Sequence, residues 1–209
     1  MLCFSRRRPV RERFEFYDRE GVGSDAVKAA LVDAAAKMLG EFGPRGISVR
    51  DVADRAGVNH GQVHHYFGGK RALLEAAMRH LAHEAFDHSS VLAGNSPYPP
   101  VLTFAEDSDY QRAVCRIVME GDLELARIEI DENVSVPRHV LRSLQKEHGV
   151  DNDDLRFKAR FAAMTAQSLG WVAFEDFMML QADVEPEQRE EFRVQVKQFI
   201  REALAQAFS

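Results

Sequence analysis

Apolar residues along this chain recur at intervals of three and four, and each run ends at a glycine, a proline or a polar cluster, so the pattern predicts helices. From Asp25, Leu31, Ala34, Ala35, Met38 and Phe42 form one stripe that stops at Gly43-Pro44, where proline cannot continue the hydrogen-bond ladder. Ser48 then suits an N-cap, with Asp51 in the first turn. Val52, Ala53 and Ala56 give a short helix one apolar face before Gly57 ends it, leaving Arg50, Asp54 and Arg55 elsewhere on its surface. Asn59 caps a second short helix held by Val63 and Phe67, with His60, Gln62, His64, His65 and Tyr66 projecting outward. A longer helix follows from Lys70 to about Ser89, buried through Leu73, Leu74, Ala77, Leu81 and Ala85.

Residues 89–106 hold three of the seven prolines and read as a connector. Beyond it, Tyr110–Glu120 is apolar through Val114, Ile117 and Val118, and Leu123–Ile130 reads as a further turn or two. Pro137 opens a helix carrying Val140, Leu141 and Leu144 that ends at Gly149. Leu155–Gln181 is the longest uninterrupted pattern, with Phe157, Phe161, Met164, Ser168, Trp171, Val172, Phe174, Phe177 and Met178. After Pro186 a last helix, Glu187–Phe208, runs through Phe192, Val196, Phe199, Ile200 and Leu204. The apolar sides of these last two helices are too wide for a single neighbour. A four-helix bundle built from two copies would cover them, so a homodimer is expected.

The two short helices around Gly57 differ from an ordinary hairpin. A solvated helix face normally carries Glu, Lys and Arg. Here it carries neutral or weakly basic hydrogen-bonding groups and ends at Lys70, a surface suited to base edges and phosphates. The run Gly57-Val58-Asn59-His60-Gly61-Gln62-Val63-His64-His65-Tyr66-Phe67, followed by Lys70-Arg71-Ala72-Leu73-Leu74, resembles the helix-turn-helix of the tetracycline-repressor (TetR) family of transcriptional regulators, over roughly residues 27–81. The resemblance implies an all-α fold. A three-helix DNA-binding domain at residues 25–69 would be joined by a linking helix to a larger effector-binding and dimerisation domain at 70–209, with the final two helices at the dimer interface.

Position by position, the resemblance places Arg50, His60, Gly61 and His64 at base edges, and Ser48, Gln62, His65, Tyr66 and Lys70 at phosphates. Arginine pairs in a bidentate manner with guanine, and the bare Gly61 backbone allows close approach to a base. Two positions depart from the family: His64 stands where tyrosine is usual, and Gln62 where a small hydroxyl residue is usual, so no relative's base preference transfers.

Charge changes the picture only when it is divided. The 209-residue chain carries a net −6, but residues 1–80 hold 14 Lys and Arg against 10 Asp and Glu, a net +4, and residues 81–209 hold 13 against 23, a net −10. The basic part contains the motif, and the acidic part is discouraged from lying on phosphates. Residues 1–24 read as a disordered basic lead-in with Arg6, Arg7, Arg8, Arg11 and Arg13. No run of eighteen apolar residues and no signal-peptide pattern occurs, so the expectation is a cytoplasmic protein without a membrane partner.

Cys3 and Cys115 lie too far apart in sequence to suggest a disulfide framework or a cysteine zinc site. His80, His83, Glu84 and His88 share helical spacing, but scattered surface histidines explain them as readily; no metal or cofactor is expected. Phe104, Met119, Met164, Trp171, Phe174 and Met178 are the candidates for a pocket holding a mostly apolar small-molecule effector, against the alternative that they are ordinary core. No nucleotide loop, nucleophile elbow or zinc-protease motif points to an enzyme. The expected function is a ligand-responsive repressor that binds an inverted-repeat double-stranded DNA operator as a homodimer. The alternatives are a transcriptional activator and a helical interaction protein without an effector.

Overall fold

A computed structural model of the chain describes residues 22–94 and 109–208. Phe104, residues 1–21 of the lead-in and residues 95–108 of the connector lie outside the described residues. The described residues are helical, with no strand among them: α1 (Val22–Phe42), α2 (Val49–Ala56), α3 (Gly61–Phe67), α4 (Lys70–Ala93), α5 (Asp109–Met119), α6 (Leu123–Ala126), α7 (Ile128–Asp131), α8 (Val136–Glu147), α9 (Leu155–Gln181) and α10 (Arg189–Ala207), the last preceded by a 3-10 turn at Pro186–Gln188.

One core extends from the short helices into the second half. It joins Leu31, Ala35 and Leu39 of α1, Val52 of α2, Val63 of α3, Leu73, Ala77 and Met78 of α4, Ile117 of α5 and Leu125 of α6. The apolar stripes of α1 and α4 are therefore covered on two sides, by the short helices and by α5. A second, smaller cluster of Trp171, Met179 and Ile200 fastens α9 to α10, with Phe192, Val196 and Leu204 packed against it.

Several expectations need correction. α1 starts at Val22 rather than Asp25, and α4 continues past Ser89 to Ala93. The hydroxyls of Ser89 and Ser90 both bond back to the carbonyl of Phe86, at 2.9 Å each, so a pair of residues that suggested a break is absorbed into the helix. Phe42 is half exposed. It ends α1, Gly43 turns the chain at φ 71°, and Gly46 returns so close that a Cβ there would lie 2.6 Å from the Phe42 carbonyl oxygen, so the turn covers the Phe42 backbone and leaves its ring at the rim. Val118 and Phe199 are also exposed, because Ile117 and Ile200, each one residue away and about 100° around the helix, take the inward direction.

The bounds of α9 match the expectation. Asp154 caps it, its carboxylate accepting from the Phe157 N–H at 2.9 Å. Phe174 has non-helical dihedrals (φ −126°, ψ 15°) and kinks the helix there.

Candidate nucleic-acid interface

The site is built from the caps at both ends of α2 and α3 and one buried anchor. Ser48 Oγ accepts from the Asp51 N–H at 3.1 Å and donates to the Asp51 carboxylate at 2.5 Å, which starts α2 and commits the hydroxyl proton. At the other end Gly57 takes the left-handed conformation (φ 70°), and the Val58 N–H closes on the Ala53 carbonyl at 3.0 Å. A side chain at position 57 would resist that φ.

Asn59 behaves as the expected cap although regular helix begins at Gly61. Its side-chain oxygen accepts from the Gly61 N–H at 2.9 Å, and the Gln62 and Val63 amides form tighter i→i+3 bonds. A Cβ at Gly61 would sit 3.3 Å from that cap oxygen, so this position is open outward and tight toward the cap. Gly68 ends the seven-residue α3 at φ 75°, its N–H on the His64 carbonyl.

Val63 is fully buried and anchors α3 from beneath, assisted by partly buried Val58 and Phe67. Consequently His60, Gly61, His64 and His65 face outward, and Arg50, 71% exposed, stands beside them with a loose contact to Asp54 at 3.9 Å. Gln62 and Lys70 are half-buried at the edges. Tyr66 needs correction: it is not a free outward side chain but packs partly on the core, in edge contact with His65, with Lys28 Nζ 5.4 Å above its ring. Lys28 is a member of this surface that helical periodicity could not reveal, because it lies on another helix, 38 residues away.

Ion pairs tie α2 to α1 and the turn after α5 to the N-terminal helices. Arg55 of α2 makes a two-pronged contact with Glu41 of α1, at 2.5 and 2.6 Å, and holds the Glu41 carboxyl below the usual carboxylate range. The turn after α5 in turn grips the N-terminal helices. Glu120 accepts from the Arg45 backbone N–H at 2.7 Å, and Arg71 Nη1 donates to Asp122 at 2.6 Å, lowering the Asp122 pKa. Arg116 Nε donates to the Gly40 carbonyl at 2.8 Å.

Of the five described residues expected at an effector pocket, two share a cleft and three lie elsewhere. Met119 and Phe174 line one cleft of about 530 Å³ between α5 and α9. Trp171 is buried against Phe192, ring centroids 6.2 Å apart, as part of the α9–α10 packing. Met164 is half-buried farther along α9, and Met178 is exposed. Arg112, Cys115, Arg116 and Arg193 also line the cleft, a cationic contribution that the search for apolar positions missed. Burial pushes the Cys115 thiol pKa up, which leaves it a poor nucleophile. Among the described residues no group of three or more His, Cys, Asp or Glu could hold a metal; His80 pairs with Glu84 at 3.3 Å and His83 with Glu132 at 3.0 Å. No described helix is long and apolar enough to cross a membrane.

Residues 31–77, from α1 into α4, match the family model of bacterial regulatory proteins, tetR family. The HTH-type transcriptional regulator BetI of Brucella anthropi is 39% identical over 69 residues, 33% of this chain and 36% of that protein. BetI of Burkholderia lata is 41% identical over 73 residues, 34% and 38% of the two chains. The match thus spans little more than a third of the length of these curated relatives. Over the fold as a whole, a TetR-family structure from Rhodococcus sp. superposes with a TM-score of 0.60 at 19% identity, covering 88% of this chain and all of that one. A tetR-family transcriptional regulator from Streptomyces coelicolor gives 0.56 at 16%, covering 88% and 82%. The helix-turn-helix thus lies inside the residues that match the tetR-family model, and the chain as a whole shares its fold with these TetR-family structures.

Proposed function

We propose that this protein is a ligand-responsive, sequence-specific repressor that works in the cytoplasm by binding rather than by catalysis. It holds an inverted-repeat operator as a homodimer and is released by a small-molecule effector. The observation that carries this reading is the outer face of α3, where His60, Gly61, His64 and His65 are exposed on a helix anchored by Val63 and free of carboxylates. Base contact falls to Arg50, His60, Gly61 and His64. Phosphate contact falls to Gln62, His65, Tyr66 and Lys70, with Lys70 at the N-terminus of α4 adding to the positive potential of that helix end. The hydroxyl proton of Ser48 is held by Asp51, so Ser48 offers a phosphate its backbone rather than its side chain.

Dimerisation is supported by the apolar surface left on α9 and α10, where Phe177, Leu180, Val194 and Phe199 are all more than half exposed. A partner helix pair covering them makes a four-helix bundle and sets two α3 helices on one duplex, which turns two weak half-site contacts into one strong one. An effector releases the operator only if it binds the non-operator state more tightly.

The test is a gel shift against the DNA flanking the protein's own gene at two salt concentrations. Retention that is specific and weakens steeply with salt is expected. Tyr66→Phe combined with Lys70→Ala weakens binding to every sequence alike and makes the salt dependence shallower, because phosphate contacts carry no sequence information. Salt-insensitive retention, or a monomer in sedimentation, contradicts the reading.

A further inference from the structure

The cleft between α5 and α9 has an uneven charge distribution. Its two carboxylates are both engaged from α10: Glu175 accepts from Arg193 Nε at 2.5 Å, and Asp176 lies 3.6 Å from Arg189 Nη1. On the facing wall, Arg112 and Arg116 of α5 have no carboxylate partner among the described residues; Arg116 spends only its Nε, on the Gly40 carbonyl. Between them the wall is apolar, from Met119, Val172, Phe174 and Phe177, with the Phe174 kink turning α9 at this level. The volume of about 530 Å³ falls within the range of small-molecule sites.

We infer that this cleft binds a small organic anion, a carboxylate on an apolar body, with Arg112 and Arg116 on the carboxylate and the body against Met119, Val172 and Phe174. Two guanidiniums without a carboxylate partner among the described residues, beside an apolar wall, match a ligand that is charged at one end only. The same site connects to the DNA-binding head. Arg116 reaches from the cleft to α1, and α1 and α5 lie so close at Gly40 that a Cβ there would be 3.0 Å from the Asp109 carbonyl oxygen. A carboxylate that reorients the Arg116 guanidinium acts on the Gly40 contact, and any shift of α5 is passed to α1 without slack. The regulatory half of this inference rests on the ligand-responsive reading above, whereas the binding half does not.

Trp171, the only tryptophan, is the residue next to Val172 in α9 and reports on the cleft. Decanoate titrated into the 209-residue chain is expected to change Trp171 fluorescence saturably, with matching heat in calorimetry. Decanol, equal in chain length but uncharged, and decyltrimethylammonium should bind at least about tenfold more weakly, and Arg112→Ala and Arg116→Ala should each weaken decanoate about tenfold. Both arginines are exposed, and circular dichroism checks that the variants fold.

No saturation by decanoate in the millimolar range, or equal binding of decanoate and decanol, overturns the ligand class. If the arginine variants leave decanoate binding intact but raise the dimer dissociation constant, these arginines serve a partner subunit's carboxylates, and the inference fails. Saturating decanoate that leaves DNA retention unchanged removes the regulatory half alone. Absent DNA binding with decanoate binding intact counts against the repressor reading and not against the site.

Discussion

Replacing Arg50 and His64 with alanine together is expected to lower affinity for the specific DNA site by about 2–5 kcal/mol, roughly thirty- to several-thousandfold, since one good base contact is worth ~1–3 kcal/mol. Affinity for unrelated DNA should change much less, because it rests on phosphate contacts that remain at Gln62, His65, Tyr66 and Lys70. The double variant should fold normally. Arg50 is largely exposed, its only ion pair among the described residues a loose one to Asp54, and His64 lies on the outer face of a helix held by Val63. The measurement is fluorescence anisotropy at one fixed salt concentration with specific and scrambled duplexes. Equal losses on both duplexes would mean that Arg50 and His64 only position the protein, and base reading would have to be assigned to His60 and the Gly61 backbone.

The two short helices were legible in sequence because their determinants are local. Ser48 with Asp51, Val58 with Ala53 across Gly57, and Asn59 with Gly61 are caps formed within five residues, and Val63 marks the inward direction of α3. The Asp154 cap and the long stripe fixed the ends of α9 for the same reason. What ties the head to the body was not legible. Arg45 with Glu120 spans 75 residues and Arg71 with Asp122 spans 51, and nothing in a helical period says which exposed arginine meets which carboxylate. Arg112 and Arg116 were missed for a related reason: an arginine on a solvated face and one lining a cleft have the same sequence neighbours. The six effector candidates were chosen as large apolar side chains, a criterion that also selects Trp171, whose ring belongs to the packing of α9 on α10.

Ile117→Ala is expected to cost about 2–5 kcal/mol, the range for removing a large aliphatic side chain from a packed core, and to lower the melting temperature by roughly 5–15 °C. Its neighbour Val118, to which the sequence pattern gave the same inward role, is 44% exposed and should change stability by no more than about 0.5 kcal/mol when cut to alanine. Ile117 is fully buried in the cluster that also holds Leu39 of α1, Val63 of α3 and Met78 of α4. A cavity on α5 is therefore a cavity in the core that supports the recognition helix, so the DNA-binding head and α5 should melt in one step rather than two. At 25 °C, where a stability of ~5–15 kcal/mol leaves most Ile117→Ala molecules folded, specific DNA affinity should stay near its original value, and it should vanish on heating with the same midpoint as the helical signal. A head that keeps its DNA through the first of two separate transitions would show that the core is divided between α1 and α5, and the route from the cleft through Arg116 to Gly40 would then lose its mechanical basis.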